Sequence, residues 1–226
     1  MEKLLIVVVY AVYAAFWLRF LGHALVWWNA TQTLVEPVAS GARVKACALT
    51  ATDIVFFNRL FRVNPGLWFG EWVFHVTLTL VLLRHLRYVL NPVPACIWWV
   101  QLPGLIAGYV LPFSLLYILV IRLFTNQEKY ASLRNVFFLG LVLVISCIGL
   151  LMQALFKPDI VGVKLFILGL LGFSPATVPH SILFVLHFSL VLVLIPLLPT
   201  HIVTAPLVMM EARKREQALP LVIHGE

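Results

Sequence analysis

The chain has 226 residues, 62% hydrophobic and 11% charged, with a mean hydropathy of +1.02. Ordinary soluble domains carry about 25% charged residues, so the composition excludes that class. The net charge of +7 comes from sixteen Lys and Arg in short clusters between apolar runs, a pattern that fits membrane topology and argues against nucleic acid as a partner.

A hydrocarbon core about 30 Å thick needs roughly 20 apolar residues to cross. On that measure the sequence predicts an all-α integral membrane protein of about five transmembrane helices in a bundle, near residues 4–28, 70–90, 96–121, 136–156 and 180–203. Residues 1–210 then form a single transmembrane domain. The first run, MEKLLIVVVYAVYAAFWLRFLGHALVWW, is too long for a signal-peptide core and lacks a small-residue cleavage site, so it reads as a retained helix. Residues 29–69 are more polar, with Arg43, Lys45, Arg59 and Arg62, and are expected to form a loop with a surface helix near Asp53–Phe61. NPVP at 91–94 is a tight turn, since proline removes a backbone donor and disfavours helix at the preceding residue. The helices on either side of it should be antiparallel neighbours.

Between Lys157 and Pro179, VGVKLFILGLLGF offers too short an apolar stretch for a span and suits an interfacial or re-entrant piece, with a six-helix count as the alternative. Residues 211–226 form a basic tail containing Arg213, Lys214 and Arg215. In a five-helix topology the 29–69 loop, the 122–135 loop (Arg122, Lys129, Arg134) and the tail share one side. Lys3, Arg84, Arg87, Lys157 and Lys164 occupy the other. The excess of cations puts the first side in the cytoplasm and the N-terminus outside, in a multi-pass protein of a prokaryotic cytoplasmic membrane. Trp27, Trp28, Trp68, Trp72, Trp98 and Trp99 fall where an interfacial aromatic belt would lie.

Cys47, Cys96 and Cys147 form neither a CxxC pair nor a CxxCH signature, so neither an iron–sulfur cluster nor covalently attached haem is indicated in this chain. The histidines carry the chemistry, because ionisable groups at membrane depth are costly and mark functional positions. His75 and His85 lie ten residues apart in the second helix, roughly 15 Å along the axis and about 80° in direction. His187 and His201 lie fourteen apart in the last helix, roughly 21 Å in rise and about 40° in direction. A single histidine in a helix is more often a hydrogen-bonded interior residue. Two helices that each offer two imidazoles on one side can instead clamp two planar cofactors, and bis-histidine haem b meets that need. If the two helices are antiparallel, His85 pairs with His187 and His75 with His201. Pro196 and Pro199 can kink the last helix to reconcile the unequal spacings.

Arg84 and Arg87 flank His85 and are candidates for haem propionates, with snorkelling to headgroups as the bland alternative. Tyr88, Gln101, Lys164 and His180 are candidates for a quinone site, although His180 also reads as a wet interfacial residue. No catalytic residue is expected. His23 and His224 have no partner at matched depth and receive no role.

With NRLFRVNPGLWFGEWVFHVTLTLVLLRHLRYVLNPVP and VLHFSLVLVLIPLLPTHIVTAP in view, the chain resembles the respiratory nitrate reductase gamma subunit family. That family includes the b-type cytochrome subunits of related sulfur-metabolism and hydrogenase-type membrane complexes. The resemblance implies a five-helix subunit with two haems b that oxidises menaquinol, or ubiquinol, near the outer face. It implies electron transfer to cytoplasmic iron–sulfur and catalytic subunits, so the chain acts as an electron-transfer subunit rather than as an enzyme alone. Carried over, His85 and His187 would hold the outer haem and His75 and His201 the inner one. The last-helix spacing is shorter than in the nitrate reductase pattern and looks like that of formate dehydrogenase-type cytochromes, which leaves a single-haem variant open. The competing class is a non-redox transporter or structural anchor whose histidines serve packing or proton relay.

Overall fold

The computed structural model describes residues 2–33, 40–124, 133–199, 209–210 and 212. His201, residues 125–132 of the expected third loop, and the basic residues Arg213–Arg215 lie outside the described residues, as do the side chains of Trp27 and Trp28. The elements are α1 (Glu2–Thr33), α2 (Ser40–Phe56), α3 (Asn58–Val63), α4 (Pro65–Val89), α5 (Ala95–Trp99), α6 (Gln101–Phe124), α7 (Leu133–Ala154), α8 (Ile160–Leu171) and α9 (Ile182–Leu194), the last continued by a tight turn over Ile195–Leu197. The described secondary structure is all-α. Four segments are long and apolar enough to cross a membrane, Glu2–Val26, α4, α6 and α7, while α8 and Ile182–Leu197 are shorter apolar helices. The chain is a multi-pass membrane protein.

Two compact units are distinguished, residues 1–10 with 64–194 and residues 11–63 with 195–226. In the first, α4 begins earlier than hydropathy alone places it. Asn64 caps it, its side chain accepting from the Leu67 amide at 2.9 Å, and Pro65 sits in the first turn, where a missing N–H costs nothing. The helix ends against the 91–94 turn. Beyond that turn a single expected helix is divided at Val100. Pro103 falls in the first turn of α6, where proline is tolerated, so α6 restarts at Gln101.

Helix association in lipid depends on close van der Waals approach, since there is little hydrophobic drive between apolar helices. The most extensive packing joins α4 to α6, and glycines mark where it is tightest. A Cβ at Gly70 would lie 2.7 Å from the Tyr117 ring, and one at Gly104 would lie 2.8 Å from Arg84 Cβ and 2.9 Å from the Leu80 carbonyl oxygen. The Leu80 oxygen is backbone and cannot swing away. Gly104→Val should therefore destabilise the α4–α6 pair by about 1–3 kcal/mol, read as a lowered melting midpoint in detergent. Gly22→Val, with nothing within 4 Å of the added carbon, should melt close to the parent.

From α6 the bundle continues through α7 to α9, and α8 packs on α4. Phe166 of α8 is fully buried, with its ring edge-on to Phe184 and Phe188 of α9. Met152, Val163, Leu170 and Val178 complete this core, and Leu5, Ile6, Val9 and Tyr10 of α1 lie against it. The Tyr10 hydroxyl donates to the Leu170 carbonyl at 3.1 Å, satisfying one of the last carbonyls of α8, which have no partner within the helix. The segment expected to be interfacial or re-entrant is thus a 12-residue helix with a packed inner face.

In the second unit, Phe16, Trp17 and Phe20 form a ladder of ring contacts along α1. Arg19 donates to the Pro196 carbonyl at 3.0 Å. The expected surface helix at 53–61 is not continuous. α2 and α3 meet at Phe57, whose φ of 50° lies in the left-handed region that bulky residues rarely adopt. Asp53, 3% exposed, closes this corner: its backbone carbonyl accepts from the Phe57 amide at 2.9 Å, and its carboxylate lies 3.5 Å from Arg59.

Candidate cofactor site

Helix α4 carries two of the candidate histidines and α9 a third. At both α4 positions the imidazole turns back toward the preceding turn. His85 Nδ1 lies 2.7 Å from the Val81 carbonyl oxygen, and His75 Nδ1 lies 2.7 Å from the Glu71 carbonyl oxygen. His187 Nδ1 lies 3.1 Å from the Ile145 carbonyl of the neighbouring α7. A carbonyl can only accept, so each Nδ1 carries the hydrogen and donates it. In a neutral ring Nε2 is then left as a bare lone pair, which is how a protein presents histidine to a metal.

His187 lies within electrostatic range of His85. Yet α4 and α9 are not extensively packed on one another: α7 lies next to α9, and α8 next to α4. Room beside His187 comes from α7, where Gly149 faces the ring. A Cβ there would lie 3.2 Å from His187 Cε1 and 3.6 Å from Nδ1. Among the described residues, no three His, Cys, Asp or Glu side chains gather as a multi-ligand metal centre would require.

Around His85 the polar groups form a second layer. Arg84 donates to the Gln153 amide oxygen of α7 at 3.1 Å. Arg87 donates to the Gln101 amide oxygen at 3.1 Å and to the Tyr88 hydroxyl, and its guanidinium lies 4.7 Å from the Tyr88 ring centroid. These partners are neutral. The Nε atoms of both arginines are buried without a hydrogen bond. Two guanidiniums at membrane depth whose partners among the described residues are amides and a phenol are a costly arrangement, and a carboxylate-bearing ligand would relieve it. The residues therefore fit a bis-histidine haem, whose propionates would find cations here. Arg84 is bonded to Gln153, while Arg87 shares a network with Tyr88 and Gln101, so the expected propionate and quinone groups meet at Arg87. Neither Lys164, half-buried on α8, nor His180, exposed before α9, is hydrogen-bonded to it.

Near His75 the surroundings differ. Glu71, one turn earlier, is buried and ion-paired with Arg122 of α6, while its second carboxylate oxygen lies 3.9 Å from His75 Nδ1. The Phe74 ring stands edge-on at 4.7 Å. The expected partner of His75, His201, lies outside the described residues. Counting Arg122 as a loop charge hid this ion pair. Gln153 also escaped the sequence reading, though a lone amide in the apolar run LMQALF was a signal, and Gly149 gave none.

No protein-family model matches the chain, and no solved structure does. Two curated proteins are similar to it. The Hdr-like menaquinol oxidoreductase cytochrome b-like subunit of Archaeoglobus profundus is 29% identical over 153 residues, covering 59% of this chain and 44% of the relative. The protein of the same name from Archaeoglobus fulgidus is 30% identical over 149 residues, covering 59% and 45%. The chain thus matches less than half the length of these relatives, whose names are those of Hdr-like subunits rather than of nitrate reductase gamma subunits. What the comparison supports is similarity to cytochrome b-like membrane subunits.

Proposed function

We propose that this chain is the haem b membrane subunit of a quinol-linked respiratory oxidoreductase. The observation that carries the proposal is the pair His85 and His187, each with Nδ1 committed to a backbone carbonyl, beside two arginines that have no carboxylate partner among the described residues. When bound, haem supplies a one-electron carrier. The chain's own residues would orient it: His85 and His187 would ligate, Gly149 leaves room beside His187, and Arg84 and Arg87 would balance the propionate charge. A second haem between His75 and His201 is part of the proposal.

The relatives' names favour menaquinol as the quinol, with the Tyr88–Gln101 end of the cluster, together with Lys164 and His180, as the region that meets its ring. Oxidation of one quinol to quinone releases two protons and two electrons. The protons leave to water and the electrons to cytoplasmic iron–sulfur and catalytic subunits, docked on the side where Lys and Arg are in excess. Five crossings, with the N-terminus outside a prokaryotic cytoplasmic membrane, complete the proposal; α9 with its tight turn supplies the last. In this arrangement the chain works in the manner of the nitrate reductase gamma subunits it resembles, within a complex closer to those of its relatives.

The test is optical. Protein purified with haem supplied during expression should gain a b-type alpha band when a reduced menaquinone analogue is added, and lose it on reoxidation. Colourless protein would reject the proposal and favour a non-redox membrane role.

A further inference from the structure

The imidazoles of His75, His85 and His187 each meet a backbone carbonyl but differ in charge environment. His85 Nδ1 meets the Val81 carbonyl and His187 Nδ1 the Ile145 carbonyl. His75 Nδ1 meets the Glu71 carbonyl at 2.7 Å and also lies 3.9 Å from the Glu71 carboxylate, whose side chain is 10% exposed. The carboxylate cannot drift away, because its other oxygen is tied to Arg122, itself 19% exposed at the end of the neighbouring helix. One residue thus supplies two groups beside this ring nitrogen, and a second helix holds its carboxylate in place.

We infer that Glu71 is a positioning residue for His75, fixing its tautomer and lowering the reduction potential of an iron ligated through its Nε2. The inference rests on the reading of His75 as a haem ligand. Its physics is general. A hydrogen bond from Nδ1 to a carbonyl makes the imidazole a stronger donor, and a fixed negative charge nearby favours the ferric over the ferrous state. Both act in the same direction, and the Glu71 side chain, 10% exposed against 40% for His75, keeps its charge less screened than an exposed carboxylate would be. Arg122 offsets part of that charge but lies on the far side of the carboxylate from the ring, bonded to Oε1 while Oε2 approaches His75. The nearer charge dominates. No described carboxylate plays this part at His85, whose charged neighbours are Arg84 and Arg87.

The experiment is a spectroelectrochemical titration of the holo-protein in lipid nanodiscs. His75→Ala first identifies which redox wave belongs to His75, by removing it. Glu71→Gln should then raise the midpoint of that wave alone. The expected shift is about a tenfold change in the ratio of reduced to oxidised haem at fixed poise, or about 59 mV for one electron. The wave that survives in His75→Ala should not move. Removing one partner of a buried ion pair is strongly destabilising, whereas replacing both is tolerated. Glu71→Gln with Arg122→Gln is therefore the second variant, expected to shift the same wave upward by less. An unmoved His75 wave in haem-replete variants, or equal shifts in both waves, would overturn the inference while leaving His75 as a ligand. Undiminished haem in His75→Ala would overturn the inference and the His75 ligand reading together.

Discussion

Replacing His85 or His187 with alanine should each abolish the same haem, with loss of its alpha band and of one equivalent in a pyridine haemochrome assay. The two residues lie on different helices, separated by 102 positions in the chain, and they share an effect only if they share an iron. The expected fall in haem affinity exceeds the roughly 10–100-fold that follows loss of an outer-shell partner, because here a ligand itself is removed. Folding should survive. Neither ring belongs to the buried core around Phe166, and each hydrogen-bonds to a backbone carbonyl. Circular dichroism and the detergent elution profile should therefore match the parent. His75→Ala should leave this haem intact, which separates the two proposed sites. Retention of haem in either alanine variant would mean that the pair is a packing contact.

Much of this was legible from composition, because bilayer thickness and the cost of buried charge act on sequence directly. Apolar runs at α1, α4, α6 and α7 announced an all-α membrane chain, and the short run at α8 announced a segment too brief to span. The details of α4 were also written locally. Asn64 and Pro65 are a cap and a first-turn residue, and weighing them would have moved its start from residue 70 to residue 65. Tertiary arrangement was not written locally. That Arg122 turns inward to Glu71, that Gln153 meets Arg84, and that a carbonyl of α7 holds His187 all depend on how helices far apart in sequence face one another. Hydropathy is blind to that facing. The sequence reading had treated propionate and quinone candidates as separate sets, whereas the fold ties Arg87, Tyr88 and Gln101 into one network.

Gly149 is the position where that blindness matters most, and Gly149→Leu should empty the His85–His187 site without unfolding the protein. In the parent, the absent side chain is what lets α7 lie beside the imidazole. Even one carbon there would approach His187 Cε1 to 3.2 Å, which the ring can accommodate only by shifting a few tenths of an ångström and straining its 3.1 Å bond to the Ile145 carbonyl. Gly149→Ala should therefore keep its haem but bind it about tenfold more weakly, within the range of outer-shell losses. Leucine adds three further carbons and leaves two ways out. Either His187 rotates away and gives up its bond to the Ile145 carbonyl, or α7 and α9 separate, at a cost of about 1–3 kcal/mol for overpacking. Both outcomes remove the ligand geometry. Gly140→Leu, on the same helix with nothing within 4 Å of its added carbon, controls for the general effect of a bulkier residue in α7. Haemochrome stoichiometry beside a thermal melt separates the cases. Loss of haem at Gly149 but not at Gly140, with similar melting, assigns the defect to the imidazole. Full haem content in Gly149→Leu would mean that His187 does not hold the iron.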